Sequence, residues 1–131
     1  MPSAEGRNYR IERRDDGCVI ATVRRRPDLD TTAGADDCET MCAAILATAD
    51  RDIVGLVLDL TEAPPIAGPR TQATLTTMLR AWVRGRRRAV LVIGPSAVQR
   101  LQLDRMVAHV ASPAVTVMTS TDDARAWLLA G

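Results

Sequence analysis

Residues 53–60 (IVGLVLDL) are apolar at odd and even positions alike until Asp59. Successive side chains of a strand point to opposite faces of its sheet, so such a run has no face to offer to water. It requires cover on both sides, which α/β proteins supply with crossover helices. The run ends in Asp59, Leu60, Thr61 and Glu62 and then breaks on Pro64, Pro65, Gly68 and Pro69. In open α/β folds, ligands bind outside the carboxyl ends of the strands, in loops of this kind.

The neighbouring segments supply the rest of the fold. Residues 8–14 and 18–25 are extended runs joined by Asp15, Asp16 and Gly17, a hairpin signal because Asp-Gly accepts positive φ. Residues 35–51 carry Cys38, Met41, Cys42, Ile45, Leu46 and Ala49 at helical spacing, with Asp37, Glu39 and Thr40 on the opposite face. A second helix spans Pro69–Arg84, with Thr71, Leu75, Met78, Leu79, Trp82 and Val83 on one face and Gly85 at its stop. Residues 89–93 repeat the doubly buried strand. Pro95 and Ser96 then start a helix to about Ala111, whose apolar side is Val98, Leu103, Met106, Val107 and Val110. A short strand at 115–118 and a helix at 123–130, anchored by Trp127 and Leu128, complete the chain. The order β-β-α-β-α-β-α-β-α predicts an α/β fold with a single mostly parallel sheet, flanking helices, and an antiparallel first strand at an edge. Residues 1–131 contain no repeat, linker or low-complexity tract, so one domain is expected.

Composition narrows the functional classes. An apolar share of 47% in 131 residues supports one sizeable core. No apolar run reaches the roughly 20 residues needed to span a bilayer, and the first residues lack the apolar stretch of a secretory signal, so a cytoplasmic protein is expected. Seventeen basic residues, all arginine, face sixteen acidic ones for a net charge of +1, which argues against nucleic-acid binding driven by overall charge. Two arginine clusters, Arg24 to Arg26 and Arg84 with Arg86 to Arg88, would form a phosphate-binding patch only if the fold brought them together. The three cysteines lack a metal-finger spacing, and Cys38 and Cys42 fit a buried stripe as small hydrophobes.

Catalytic chemistry is thinly represented. Asp59 and Glu62 at a strand end are the nearest approach to a carboxylate pair, but loop carboxylates commonly bond their own backbone or a nearby arginine such as Arg70. His109 is isolated, and no nucleophile elbow, phosphate loop or dinucleotide fingerprint accompanies it. Catalytic residues, metal ligands and cofactors are therefore expected to be absent.

The order of elements, the length, and the Asp59-Leu60-Thr61 loop after the central strand resemble the STAS domain, named for sulfate transporters and anti-sigma factor antagonists. The resemblance rests on topology and hydrophobic pattern. It implies a non-enzymatic regulatory or scaffolding module with a protein partner, a kinase or an anti-sigma-like regulator, and a tendency to form homodimers. In antagonist members a serine in an Asp-Ser-Ser-Gly-like motif at the start of the next helix is phosphorylated. That motif would fall around Ala67, Gly68, Pro69 and Arg70, where neither the Asp nor a Ser stands, and Thr71 is the nearest hydroxyl. The expected docking surface is the loop 61–70 with the exposed face of the following helix, its contact residues being Thr61, Glu62, Arg70 and Thr71. The alternative is a small-molecule or lipid carrier, related to the Sec14-type fold, with a pocket lined by Leu75, Met78 and Trp82.

Overall fold

The computed structural model describes residues 2–130 and contains one six-stranded sheet with four helices. The strands are β1 (Pro2–Glu5), β2 (Tyr9–Arg13), β3 (Cys18–Arg24), β4 (Gly55–Glu62), β5 (Arg88–Val92) and β6 (Val115–Met118). The helices are α1 (Thr31–Ala47), α2 (Pro69–Arg84), α3 (Ala97–Val110) and α4 (Thr121–Ala130). The strands lie in the sheet in the order in which they occur in the chain.

The fold is α/β, but the sheet is mixed rather than mostly parallel. β1 and β2 run antiparallel, as do β2 and β3, while β3 to β6 pair in parallel. The extra antiparallel pairing comes from β1, which the sequence reading leaves out. Its four residues, Pro-Ser-Ala-Glu, begin with a proline and include no β-branched or aromatic side chain, so the usual compositional signal of a strand does not reach them.

Strand order dictates where the helices go. Each parallel step moves to the next position in the same direction, and a right-handed crossover then returns every intervening helix to the same face. Accordingly α1, α2 and α3 share one face, over Ile11, Val19, Leu56, Leu58, Leu91 and Val115. The opposite face presents Cys18, Ile20, Val57, Val90 and Val92, and there α4 packs with Ala124 and Leu128. Alternate residues of β4 thus belong to two cores, which is why residues 53–60 are apolar on both parities.

Trp82, with none of its surface exposed, anchors α2 and donates its indole N–H to the Arg88 carbonyl oxygen at 3.0 Å. Burying so large a ring contributes about 3 kcal/mol, and the satisfied N–H avoids a desolvation cost. Gly55 sets the approach of α4: a Cβ there would fall 2.5 Å from Leu128 Cδ2.

Two helix faces differ from the sequence expectation. α1 begins at Thr31 rather than Ala35, because the Asp30 carboxylate accepts the Ala33 N–H at 2.7 Å and caps it. It stops at Ala47, and Asp37 is buried rather than solvent-facing, held by Arg7 at 2.8 Å. On α3, Val98 is 49% exposed and Gln99 takes its place in the core at 6%. The buried stripe there runs Gln99, Leu103, Met106 and Val110. Among the described residues no helix is long and apolar enough to cross a membrane.

Candidate functional site

The parallel strands β3, β4 and β5 all end on one side of the sheet, where α1, α2 and α3 begin. The loop after β4 crosses this side, and its conformation is fixed by side chains from two helices. Gln102 Oε1 accepts the Ala67 N–H at 2.9 Å, and Gln72 Nε2 donates to the Ala67 carbonyl oxygen at 2.7 Å. Beneath them, Gln99 Nε2 donates to the Leu60 carbonyl at 2.9 Å while its Oε1 accepts the Gly94 N–H at 3.1 Å. One buried amide thereby joins the ends of β4 and β5, which explains a glutamine in a hydrophobic stripe. Next to the doubly anchored Ala67, Ile66 turns outward with 63% of its surface exposed.

The four residues expected to bind a partner lie along this side but make different attachments. Thr61 is exposed, and both its N–H, at 3.0 Å, and its hydroxyl, at 2.7 Å, donate to Asp59 Oδ1. Asp59 is therefore engaged in a local turn. Glu62 faces solvent 3.8 Å from Arg24. Arg70 pairs with neither Asp59 nor Glu62: its guanidinium reaches Asp36 at 2.6 Å and also Glu39, joining the first turn of α2 to the second and third turns of α1. Thr71 is half-buried in the first turn of α2, facing a cavity.

That cavity, of about 450 Å³, lies between the loop and the starts of the three helices. Leu75 lines it. Met78 and Trp82, its expected companions, are sealed in the core one and two turns farther along α2, at 1% and 0% exposure. The wall instead includes Leu60, Cys38, Met41 and Leu103, together with Pro65 and Ile66 of the loop. No sequence pattern announces the cavity, since its wall is assembled from single residues of many elements. The nearest signal is Gly34, a glycine at a helical position one turn before Cys38.

The cysteines are all buried thiols. Cys38 and Cys42 stand one turn apart, and hydrogen bonding between the two thiols raises Cys42, with burial adding to it, and draws Cys38 below the usual thiol range against the opposing effect of burial. Burial, reinforced by Asp16, pushes Cys18 up to about 11. Among the described residues no group of three or more His, Cys, Asp and Glu is placed to hold a metal. His109 is exposed near the end of α3, where its carbonyl oxygen accepts from Arg80 at 2.9 Å.

The two arginine clusters do not meet. Arg24 is in register with Glu62 at one end of β4, and Arg88 with Gly55 at the other, about 23 Å away at the usual strand rise. The second cluster is partly consumed by packing: Arg87 lies over the Trp82 ring and Arg88 over Trp127, 3.4 Å from its centroid.

No protein-family model, curated protein or solved structure matches this chain.

Proposed function

We infer that this chain is a non-enzymatic regulatory or scaffolding module, acting in the cytoplasm by docking a protein partner through the loop 61–70 and the exposed side of α2. The observation that carries this reading is the anchoring of Ala67 at both its N–H and its carbonyl while Ile66 beside it projects into solvent. A loop ordered before it meets its partner loses little conformational freedom on binding, and an exposed isoleucine on a rigid mount supplies apolar contact area. The finer fold assignment, a STAS-like arrangement, belongs to the same proposal. Its support is the run of alternating strands and helices from β3 to α4 and the placement of the loop after the central strand. The partner class it brings is a kinase or an anti-sigma-like regulator, or a second copy of the chain.

Phosphorylation of a hydroxyl in this loop is not part of the reading, because proline, alanine and glycine occupy the positions of the phospho-motif. Affinity capture from native extract, comparing the parent with Ile66→Asp and with the Glu62→Ala and Arg70→Ala double variant, tests the surface. Loss of a specific partner from Ile66→Asp at unchanged melting temperature is expected. Identical partner profiles for all three proteins would remove the surface from consideration.

A second reading, a small-molecule carrier or sensor, is favoured by the cavity beneath the same loop. At about 450 Å³ it falls within the range of small-ligand sites.

A further inference from the structure

The buried stripe of α1 runs back from Ile45 through Cys42, Met41 and Cys38. One turn earlier it reaches Gly34, where a Cβ would meet no described atom within 4 Å. A helix stripe that packs closely at each later turn therefore opens into the cavity at this one. Any other residue except proline would favour the helix more than glycine does, so the space is kept open against local preference.

The cavity wall divides by chemistry. Ala35, Cys38, Met41, Leu60, Leu75 and Leu103 are buried and apolar. Toward solvent the wall includes residues whose side chains carry donors: Arg24, Arg26, Thr31 and Thr71. Arg26 is held by Asp28 at 2.6 Å and by the Arg7 carbonyl at 2.8 Å. Arg24 is freer, with its side chain 67% exposed and Glu62 no closer than 3.8 Å, beyond hydrogen-bond reach. Asp30 is the one carboxylate among the described residues of the wall, and it is occupied in capping α1. Gly68 and Thr71 bring to the same wall the first turn of α2, which carries no acidic residue.

We propose that the cavity binds a small amphiphile with one anionic head, of the medium-chain carboxylate class. Its alkyl body lies against Gly34, Cys38 and Leu75, and its carboxylate meets Arg24 beside the first turn of α2. This deepens the carrier reading and is independent of partner docking. A cationic head would be repelled by the arginines, and a neutral head could accept from Arg24 but would forgo the ion pair and the bidentate geometry that a carboxylate offers a guanidinium.

Calorimetric titration and amide NMR with decanoate, decanol and decyltrimethylammonium, all below their aggregation limits, test it. Decanoate is expected to bind at least tenfold more tightly than decanol, with shifts centred on residues 31–38 and 60–71, and the ammonium to show no binding. Arg24→Gln should bring decanoate to the level of decanol. Gly34→Leu, which fills open space and favours the helix, should keep or raise the melting temperature while weakening decanoate at least tenfold. Absence of binding by every probe would overturn the carrier reading together with the proposal. Equal binding of decanol and decanoate would leave a carrier and overturn the anionic class. Unchanged decanoate binding by a folded Gly34→Leu variant would overturn the cavity as its place.

Discussion

Gln99 donates from Nε2 to the Leu60 carbonyl oxygen at 2.9 Å, a bond between side chain and backbone that spans from α3 to the end of β4. The same amide accepts from Gly94, so removing it strands that half-buried donor and leaves the Leu60 carbonyl with only its 3.1 Å bond from the Ala63 N–H. Gln99→Leu keeps roughly the volume but makes neither bond: the orphaned Gly94 N–H costs about 1–3 kcal/mol, and the hydrogen bond lost at Leu60 adds about 1 kcal/mol. A total loss of about 2–4 kcal/mol is expected in urea unfolding. A loss below about 1 kcal/mol would show that water or a shifted backbone replaces the amide.

At the opposite end of β4, Gly55 and Leu128 share a space that holds one side chain. Gly55→Ala places its methyl 2.5 Å from Leu128 Cδ2 and forces α4 outward, at a cost of about 1–3 kcal/mol. Leu128→Ala alone opens a hole in the smaller core and costs about 2–4 kcal/mol. The double variant should be more stable than the sum of the two losses predicts, by about 1 kcal/mol. Strict additivity in a double-mutant cycle would mean that the two residues do not compete for that space.

Backbone conformation allows a pair of predictions of opposite sign. Ala111 ends α3 at φ 55°, in the left-handed region that favours glycine, so Ala111→Gly should stabilise by about 0.5–1 kcal/mol and raise the melting temperature by about 2–4 °C. Gly17, in the β2–β3 turn at φ +92°, is the reverse case. A Cβ there is strained and lies 2.8 Å from the Asp52 carbonyl oxygen, so Gly17→Ala should cost about 2 kcal/mol or more. Equal and opposite effects are not expected, because only Gly17 adds a backbone clash to the strain.

The alkaline side of the stability profile should bear the mark of Cys18. Its thiol is pushed up to about 11 in the folded protein by burial and by Asp16, against an ordinary value near 9. Below pH 9 both folded and unfolded chains hold the proton, and the contribution is fully present. Between 9 and 11 the unfolded chain gives up the proton first, so stability falls as pH rises. Cys18→Ala should remove about one proton from the slope across this interval. Cys42, also raised, keeps part of the slope in that variant, and further flattening should appear when both are replaced. An unchanged slope in Cys18→Ala would show that its thiol ionises alike in both states.

What the sequence revealed and what it concealed divide along physical lines. The doubly apolar runs of β4 and β5 could be read because burial on two faces removes the alternation that one wet face would impose. The helix α2 could be read because Leu75, Met78, Leu79 and Trp82 repeat at its period. Gln99 and Asp37 could not be read as core, since polarity marks them for the surface until a specific partner, the Leu60 carbonyl or Arg7, is known. The partner of Arg70 was obscure for the same reason: Asp36 and Glu39 are distant in sequence and brought close only by the packing of α1 on α2. The cavity left least trace, because a wall of single residues drawn from loops and helix starts has no period to detect.

The position of α4 has a consequence for the order of events during synthesis. Each of the strands β3 to β6 pairs with the one made just before it, so the sheet can be extended as the chain is produced, and α1 to α3 can settle on it in passing. The cover for Val57, Val90 and Val92 is made only after all six strands. Until those ten residues arrive, a nascent sheet that is otherwise complete carries a bare valine face, a window in which a holding chaperone has something to grip.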